Sequence, residues 1–274
     1  MMTKHIVDLS KYNNNIDWDI AAPQLGLAIC RVQYGSKKID TLYNEHVQNL
    51  EKHRIPHAAY AYGCYVSIAD ALVEAKDFLA RVNPNAQFLV LDVEDDTLAS
   101  CGSTYLAEAT QAFINTCRDA GWKVGLYVSH HMYGSYGLQN VKADFLWIPR
   151  YGGNKPEYEC DLWQYADGET GGWLDGMGKV DLNVLNGDKT IEWFTNDQEL
   201  YRIFIGDFNS VEWIEAVYQT TKDTFPDYGI WTQSLDDGNQ RIIIGDFNSK
   251  SWCDETFAKL KEIFPSYGMW VERI

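Results

Sequence analysis

Apolar residues along this chain fall into two rhythms. Short runs rich in Val, Leu, Ile and Ala recur at His5–Ser10, Leu25–Val32, Ala58–Gly63 and Phe88–Glu94, and each reads as a buried strand. Longer stretches lie between and after them, near Tyr43–His53, Ile68–Ala80 and Thr104–Ala120. In the second, Ile68, Leu72, Ala75 and Leu79 fall at helical spacing, and Gly121 stops the third. Past that point the helical stretches vanish. Lys123–Val128, Asp144–Ile148, Asp161–Tyr165 and Val180–Leu185 read as strands joined by Gly-rich turns. About eight strands, alternating with helices only in the first half, predict an irregular TIM-like β/α barrel of the α/β class with few late helices.

The polar residues are informative where they break these runs. Phe88-Leu89-Val90-Leu91-Asp92-Val93-Glu94 ends in two carboxylates, which a strand buried on both faces does not need. Alternation puts Asp92 and Glu94 on one face, about 6.6 Å apart along the chain. An acidic solvated loop after the strand is the plain alternative. The other strand ends argue against it. They carry Asp8, Tyr60 and Tyr62, Tyr127, Trp147, Trp163-Gln164 and Asp181, which together describe an acidic, aromatic-walled cleft on the rim where barrel enzymes place their chemistry. A pair of carboxylic acids is also the minimum apparatus for hydrolysing a glycosidic bond.

The chain continues past Leu185 into polar sequence over 189–199, read as a linker, so the barrel domain is expected at 1–188. Residues 200–274 hold an internal repeat, 201–235 and 240–274. Arg202-Ile203-Phe204-Ile205-Gly206-Asp207-Phe208-Asn209-Ser210 returns as Arg241-Ile242-Ile243-Ile244-Gly245-Asp246-Phe247-Asn248-Ser249, an offset of 39 residues (241 − 202). Trp213, Trp231 and the Phe225-Pro226 pair recur at the same offset. Each copy reads strand, helix, strand, with Asn or Ser placed to cap the helix. Two βαβ copies predict a small α+β domain, a four-stranded sheet with two helices on one face.

Composition then removes classes of function. A formal charge of −16 argues against a nucleic-acid partner and an anionic membrane surface. Ten Trp and 17 Tyr offer flat faces suited to sugar rings. No run is long enough to insert in a membrane, and the start lacks the apolar core of a signal peptide, which implies synthesis in a cytoplasm without the usual export. Six Cys without a Cys-x-x-Cys pair read as buried hydrophobes in a reducing compartment. The six His make no His-Glu-x-x-His pattern, and His130-His131 would point to opposite sides of a strand. No metal or cofactor is expected.

Asp8-Leu9-Ser10, the Leu91-Asp92-Val93-Glu94 strand end, Gly125-Leu126-Tyr127, Leu146-Trp147-Ile148-Pro149-Arg150-Tyr151-Gly152, Leu162-Trp163-Gln164-Tyr165 and Val180-Asp181-Leu182-Asn183 resemble, in order, the motifs of glycoside hydrolase family 25, the N-acetylmuramidases common in phage endolysins. The likeness runs from about residue 4 to 186. One departure is Ala58-Ala59-Tyr60-Ala61-Tyr62, where the family often has Gly-Ala-Tyr-His-Phe; the Tyr is kept and the His is absent. The resemblance implies cleavage of the β-1,4 bond from N-acetylmuramic acid to N-acetylglucosamine in peptidoglycan, with Glu94 as general acid. Asp92 is then either a direct nucleophile or the partner of the substrate's acetamido group, and a same-strand pair favours the second. Asp8 and Asp181 would support from flanking strands, and Tyr60, Tyr62, Tyr127, Trp147 and Gln164 would hold the sugar.

The repeat resembles a SPOR domain, a module that binds peptide-stripped glycan strands. Arg202, Arg241, Trp231 and Trp270 are the wall-binding candidates on its open face, although large aromatics more often pin strands to helices. A wall substrate and no signal peptide together suit an endolysin released through a holin. Two other readings stay open: a barrel hydrolase of another N-acetylated glycan, glucosaminidase- or chitinase-like, and a non-catalytic wall-binding protein.

Overall fold

The computed structural model describes residues 4–195, 200–247 and 250–274, and the chain forms two compact units, Met1–Asn196 and Asp197–Ile274. In the first, eight strands close into a barrel: β1 (His5–Leu9), β2 (Leu25–Tyr34), β3 (His57–Tyr62), β4 (Leu89–Val93), β5 (Val124–Val128), β6 (Phe145–Pro149), β7 (Leu162–Ala166) and β8 (Asp181–Leu185). Neighbours pair in order around the ring, and β1 pairs with both β2 and β8 to close it. Helices Tyr43–Lys52, Ile68–Arg81 and Leu106–Asp119 follow β2, β3 and β4, as the apolar spacing predicts.

β1 to β7 run parallel, but β8 is antiparallel to both its neighbours. A parallel return needs a crossover to the far end of the sheet. Here the chain leaves β7 into a tight turn, where Thr170 and Gly172 donate to the carbonyl of Asp167. It then makes a small hairpin, Trp173–Leu174 with Gly178–Lys179, and re-enters the barrel from the rim it left. The reversal sets Asp181 directly opposite Asp8. Asp181 therefore reaches the rim as the first residue of its strand rather than the last.

Two layers of core hold the barrel. Outside, the helices pack on Val7, Leu89, Leu91, Val124 and Leu126. Inside, Ile6, Leu27, Ile29, Phe88, Val90, Phe145 and Leu162 fill the lumen. Gly125 leaves room in the lumen that a side chain would fill, because a Cβ there would come within 2.2 Å of the Phe145 ring. Residues 191–195, assigned to the linker from their polar surroundings, instead form a helix that closes the end of the barrel opposite the rim. Its Phe194 is fully buried, 5.0 Å from Phe145 and 5.5 Å from Phe88 between ring centres. The expected linker residues 196–199 lie outside the described residues.

The stripe expected for the helix Ile68–Arg81 is rotated by about one position. Ala71, Glu74, Ala75 and Phe78 are its buried residues and Leu72 is exposed. The buried Glu74 carboxylate accepts from the Cys64 backbone N–H, a local tie that the apolar pattern does not show.

In the second unit, β9 (Tyr201–Phe208), β10 (Ile230–Ser234), β11 (Gln240–Phe247) and β12 (Met269–Arg273) form an antiparallel sheet in the order β10-β11-β9-β12. The two strands of one copy are thus not neighbours: the long first strands pair at the centre and the short ones lie at the edges. Helices Val211–Thr224 and Lys250–Ile263 share one core with Ile203, Ile205, Ile242 and Ile244, which places both on the same face. Ser210 makes no capping bond to the backbone, its hydroxyl lying 3.3 Å from Glu212 Oε2; Asn248 and Ser249 lie outside the described residues.

Phe194→Ala should lower barrel stability by about 3–5 kcal/mol, since it empties a closed apolar site. Denaturant unfolding measures it, and a loss below about 1 kcal/mol would mean that the helix merely covers a barrel that is closed without it.

Candidate active site

The C-terminal rim of β1 to β7, together with the start of β8, surrounds a cavity of about 240 Å³. Asp8, Asp92, Glu94, Asp181, Tyr60, Tyr62, Tyr127, Trp147 and Gln164, of the rim residues singled out in the sequence, line it; Trp163 does not, since it packs against the outer core with its Nε1 donating to the Arg150 carbonyl. Ser10, Tyr12, Arg31, Tyr151 and Asp167 line it as well and were not singled out. Arg31 had left a signal, a cation inside the otherwise apolar run Leu25–Val32.

Asp92 is the fourth residue of β4. Glu94 lies just past the strand and opens the helix Asp95–Cys101. Its backbone stays extended (φ −133°, ψ −168°), so its side chain remains on the Asp92 side. The Glu94 N–H donates to Thr97 Oγ1 at 3.1 Å, and the Thr97 hydroxyl donates to the carbonyl of Gly63 at 2.7 Å. These bonds fix the strand-to-helix turn and with it the carboxyl. Ser129, just after β5, donates to Glu94 Oε2 at 3.4 Å.

Asp92 and Glu94 lie side by side where the strand ends and line the same cavity. Burial, then the charges of Glu94 and Asp8, holds Asp92 well above the usual carboxylate range. Burial also raises Glu94, while the hydrogen bond from Ser129 pulls it back. Asp92 Oδ1 is buried with no hydrogen-bond partner among the described residues. An orphaned carboxylate oxygen in a cavity wall is costly unless a ligand supplies a donor.

The opposite wall is built on Asp8. Gln164 Nε2 and Asn183 Nδ2 both donate to its Oδ2, at 2.9 and 2.8 Å. Each amide is fixed from behind. Tyr127 and Tyr151 hydroxyls donate to Gln164 Oε1 at 2.9 and 2.7 Å, and Trp147 Nε1 donates to Asn183 Oδ1 at 2.8 Å. Gln164 and Trp147 are thus committed to orienting Asp8, whatever they also present to a ligand. Burial pushes Asp8 up to about 6 against the pull of these donors. Asp181, opposite Asp8 in the sheet, is pushed up to about 8 by burial, then by the charges of Asp8 and Asp167. Four carboxyls, each raised by burial, face one small space.

The remaining wall is aromatic. Tyr62 stacks on Tyr34 with centres 4.5 Å apart, and the Tyr34 hydroxyl donates to Asp96. Burial raises Tyr60 and Tyr127 well above the ordinary phenol range, so both stay protonated. His130 and His131 stand on one helical turn, His130–Tyr133, rather than on a strand. His130 contacts Arg150, and His131 pairs with Asp95 at 2.9 Å. Among the described residues no group of three or more His, Cys, Asp or Glu could hold a metal ion, and no helix is long and apolar enough to cross a membrane.

The candidates in the second unit gather on the sheet face away from the helices. Trp231, Ile243, Phe204 and Trp270 form one row across the four strands, with Phe204 and Trp270 stacked at 5.5 Å. Arg202 lies over Trp231 and pairs with Asp246; Arg241 lies over Trp270 and pairs with Asp207. The two clusters are copies at the 39-residue offset.

In sequence, residues 7–172 match the model of glycosyl hydrolases family 25. No curated protein matches the chain. Among solved structures it is similar to the catalytic domain of endolysin ply40 from bacteriophage P40 of Listeria monocytogenes, at 26% identity over 68% of this chain and 95% of that one, with a TM-score of 0.62. It is also similar to GHIP, a glycosyl hydrolase 25 of Streptococcus pneumoniae (25% identity, 70% and 93% covered, TM-score 0.64). The bacterial lysozyme from Streptomyces coelicolor (18% identity, 72% and 99% covered, TM-score 0.56) shares the fold. The family match takes in more than half of the chain and every rim acid but Asp181, and the chain belongs to glycosyl hydrolase family 25.

Proposed function

We propose that this protein is a peptidoglycan hydrolase of the endolysin type. It cleaves the β-1,4 bond between N-acetylmuramic acid and N-acetylglucosamine with retention, and the substrate's own acetamido group is the nucleophile. The observation that carries this reading is the same-side placement of Asp92 on β4 and Glu94 just past it, with Asp92 Oδ1 buried and unpartnered among the described residues. Carboxyls carried side by side on one strand end do not flank a sugar ring, whereas a direct-nucleophile pair stands roughly 5–5.5 Å apart on either side of the bond. Glu94, held protonated by burial, gives its proton to the departing glycosidic oxygen. The acetamido carbonyl oxygen attacks the anomeric carbon from the other face as that bond breaks. Asp92 Oδ1 accepts the acetamido N–H and balances the oxazolinium charge. Water then opens the ring, losing its proton to Glu94.

Asp8 and Asp181 shape the opposite wall, with hydrogen bonds to the sugar available from Asp181 while it is protonated. The similarity to the catalytic domain of a phage endolysin supports a lytic role on the bacterial wall, with synthesis in the host cytoplasm and release through a holin. The second unit, read as a SPOR-like wall-binding domain, would hold the enzyme on its polymer through Trp231, Trp270, Arg202 and Arg241. Linked sites raise effective concentration without new catalytic contacts.

Digestion of purified walls should release fragments with N-acetylmuramic acid at the reducing end; N-acetylglucosamine there would mean a glucosaminidase. Glu94→Gln should slow release by about 100-fold or more, the scale of a lost general acid, and a change under about 3-fold would remove Glu94 from that role. Wild-type activity should fall as pH rises through the raised Glu94 pKa, because the acid form does the work.

Stability carries its own pH signature. Asp181 sits at about 8 in the fold against 3.8 for a free aspartate. Its contribution is therefore whole below pH 3.8 and is lost as pH rises to about 8. Asp181→Asn should melt higher than wild type at alkaline pH and no higher in acid, and equal melting at both ends would contradict the buried protonated state. For the tail, Trp231→Ala and Trp270→Ala should each weaken co-sedimentation with peptide-free walls while turnover of short soluble strands holds. Undiminished sedimentation of the double variant would remove the sheet face from wall binding.

A further inference from the structure

Arg31 is the one cationic side chain lining a cavity that five carboxyl groups also line: Asp8, Asp92, Glu94, Asp167 and Asp181. Its side chain is only 10% exposed, and its setting is built. Nε donates to Asp40 Oδ2 at 2.8 Å. Asp40 is itself fixed by the backbone N–H groups of Lys11 (2.9 Å, to Oδ2) and Leu42 (3.0 Å, to Oδ1). The Tyr12 ring lies over the guanidinium, 5.5 Å from its carbon. The plane is therefore held from the Nε edge and from one face. Neither Nη1 nor Nη2 has a hydrogen bond to any described residue, and neither is among the fully buried side-chain atoms left without a partner, so both keep access to the cavity that Arg31 lines. The free edge of the fork opens into the site.

A guanidinium presented in this way matches a carboxylate, two parallel N–H groups to two oxygens. The neutral groups of a sugar need no cation, and the phenols and amides already in the wall would serve them without burying a charge. A sugar that carries a carboxylate, by contrast, meets five acids on entering. It needs one place where its charge is answered.

We propose that Arg31 is the receptor for the carboxylate of the lactyl ether on the glycone sugar, so that the enzyme selects muramic acid over its unsubstituted counterpart and favours strands whose peptide stems have been removed. This rests on the muramidase reading above and adds to it the residue that sets sugar specificity. A stem attached through an amide removes the charge that the fork is shaped for. The preference it creates matches a tail read as binding peptide-stripped strands.

The test uses the full chain and two substrates: peptide-free glycan strands, and the same strands with their carboxylates chemically reduced to primary alcohols. Wild type should show a kcat/KM at least about ten-fold higher on the acidic strands, the scale of one charge-assisted hydrogen-bonded contact. Arg31→Lys keeps a charge beside Asp40 but loses the fork and should reduce that ratio. The paired variant Arg31→Met/Asp40→Asn leaves no unpartnered buried charge and should bring the ratio near one. Equal wild-type rates on the two substrates, or a ratio that survives both variants, overturns the assignment; if the paired variant fails to fold, wild type and Arg31→Lys still decide it. Failure to cleave either substrate would instead refute the muramidase reading itself.

Discussion

Crowding of negative charge is the constraint on which the rest of this structure depends. Four carboxyls on β1, β8 and the end of β4 face a cavity of about 240 Å³, too small to hold them all ionised in a buried setting. The molecule answers in three ways. The acids stand in two neighbouring sets, Asp92 beside Glu94 and Asp8 opposite Asp181, and burial with the neighbour's charge raises Asp92 and Asp181 above the usual carboxylate range. Two buried amides, themselves fixed by Tyr127, Tyr151 and Trp147, direct their donors onto a single oxygen of Asp8. One cation, Arg31, is admitted on a strand between them and moored to Asp40. Catalytic power in this account comes from that arrangement, in which a proton is kept available to a leaving oxygen at a pH where a free carboxyl would have lost it.

The fold supplies the places. Parallel strands bring their C-terminal ends to one rim, and a strand entering backwards brings its first residue to the same rim. The hairpin between Ala166 and Asp181 is therefore as much a part of the site as any acid, because it reverses β8 and seats Asp181 opposite Asp8. At the other end, Phe194 and the helix that carries it close the lumen, so the cavity has one mouth for a polymer to approach. The second unit solves a different problem with a duplicated element. Its two copies interleave their strands, and the face left without helices carries the same Trp, Arg and Asp cluster twice.

Much of this was legible in the sequence because apolar runs ending in charge are hard to explain otherwise. Asp92 and Glu94, Asp8, and the aromatics of the later strands all announce themselves as exceptions to their own strands. Arg31 is an exception of the same kind, but a lone arginine in a strand was passed over where a pair of acids was not. Strand direction was not legible: nothing in Val180-Asp181-Leu182-Asn183 tells a strand that enters at the rim from one that ends there. Nor was the helix Asp95–Cys101, which begins at Glu94 through contacts with Thr97. The expected linker misled because Ile191, Trp193 and Phe194 are apolar residues in polar surroundings whose partners lie inside a barrel far away in sequence. Leu72 and Glu74 show the general limit. Periodicity locates a helix, but a buried carboxylate accepting one backbone N–H can turn its face by a residue.

The central claim is that the paired carboxyls act through the substrate's acetamido group. It is tested most directly by comparing turnover of two synthetic muramyl glycosides with the same leaving group, one acetylated and one trifluoroacetylated on the glycone nitrogen. Fluorine weakens the carbonyl oxygen as a nucleophile and leaves the ring and the leaving group as they were. The account predicts a steep fall in kcat for the trifluoroacetylated sugar, with the anomeric configuration retained for both. Equal kcat values would contradict it and make Asp92 the nucleophile, and inversion would exclude both routes.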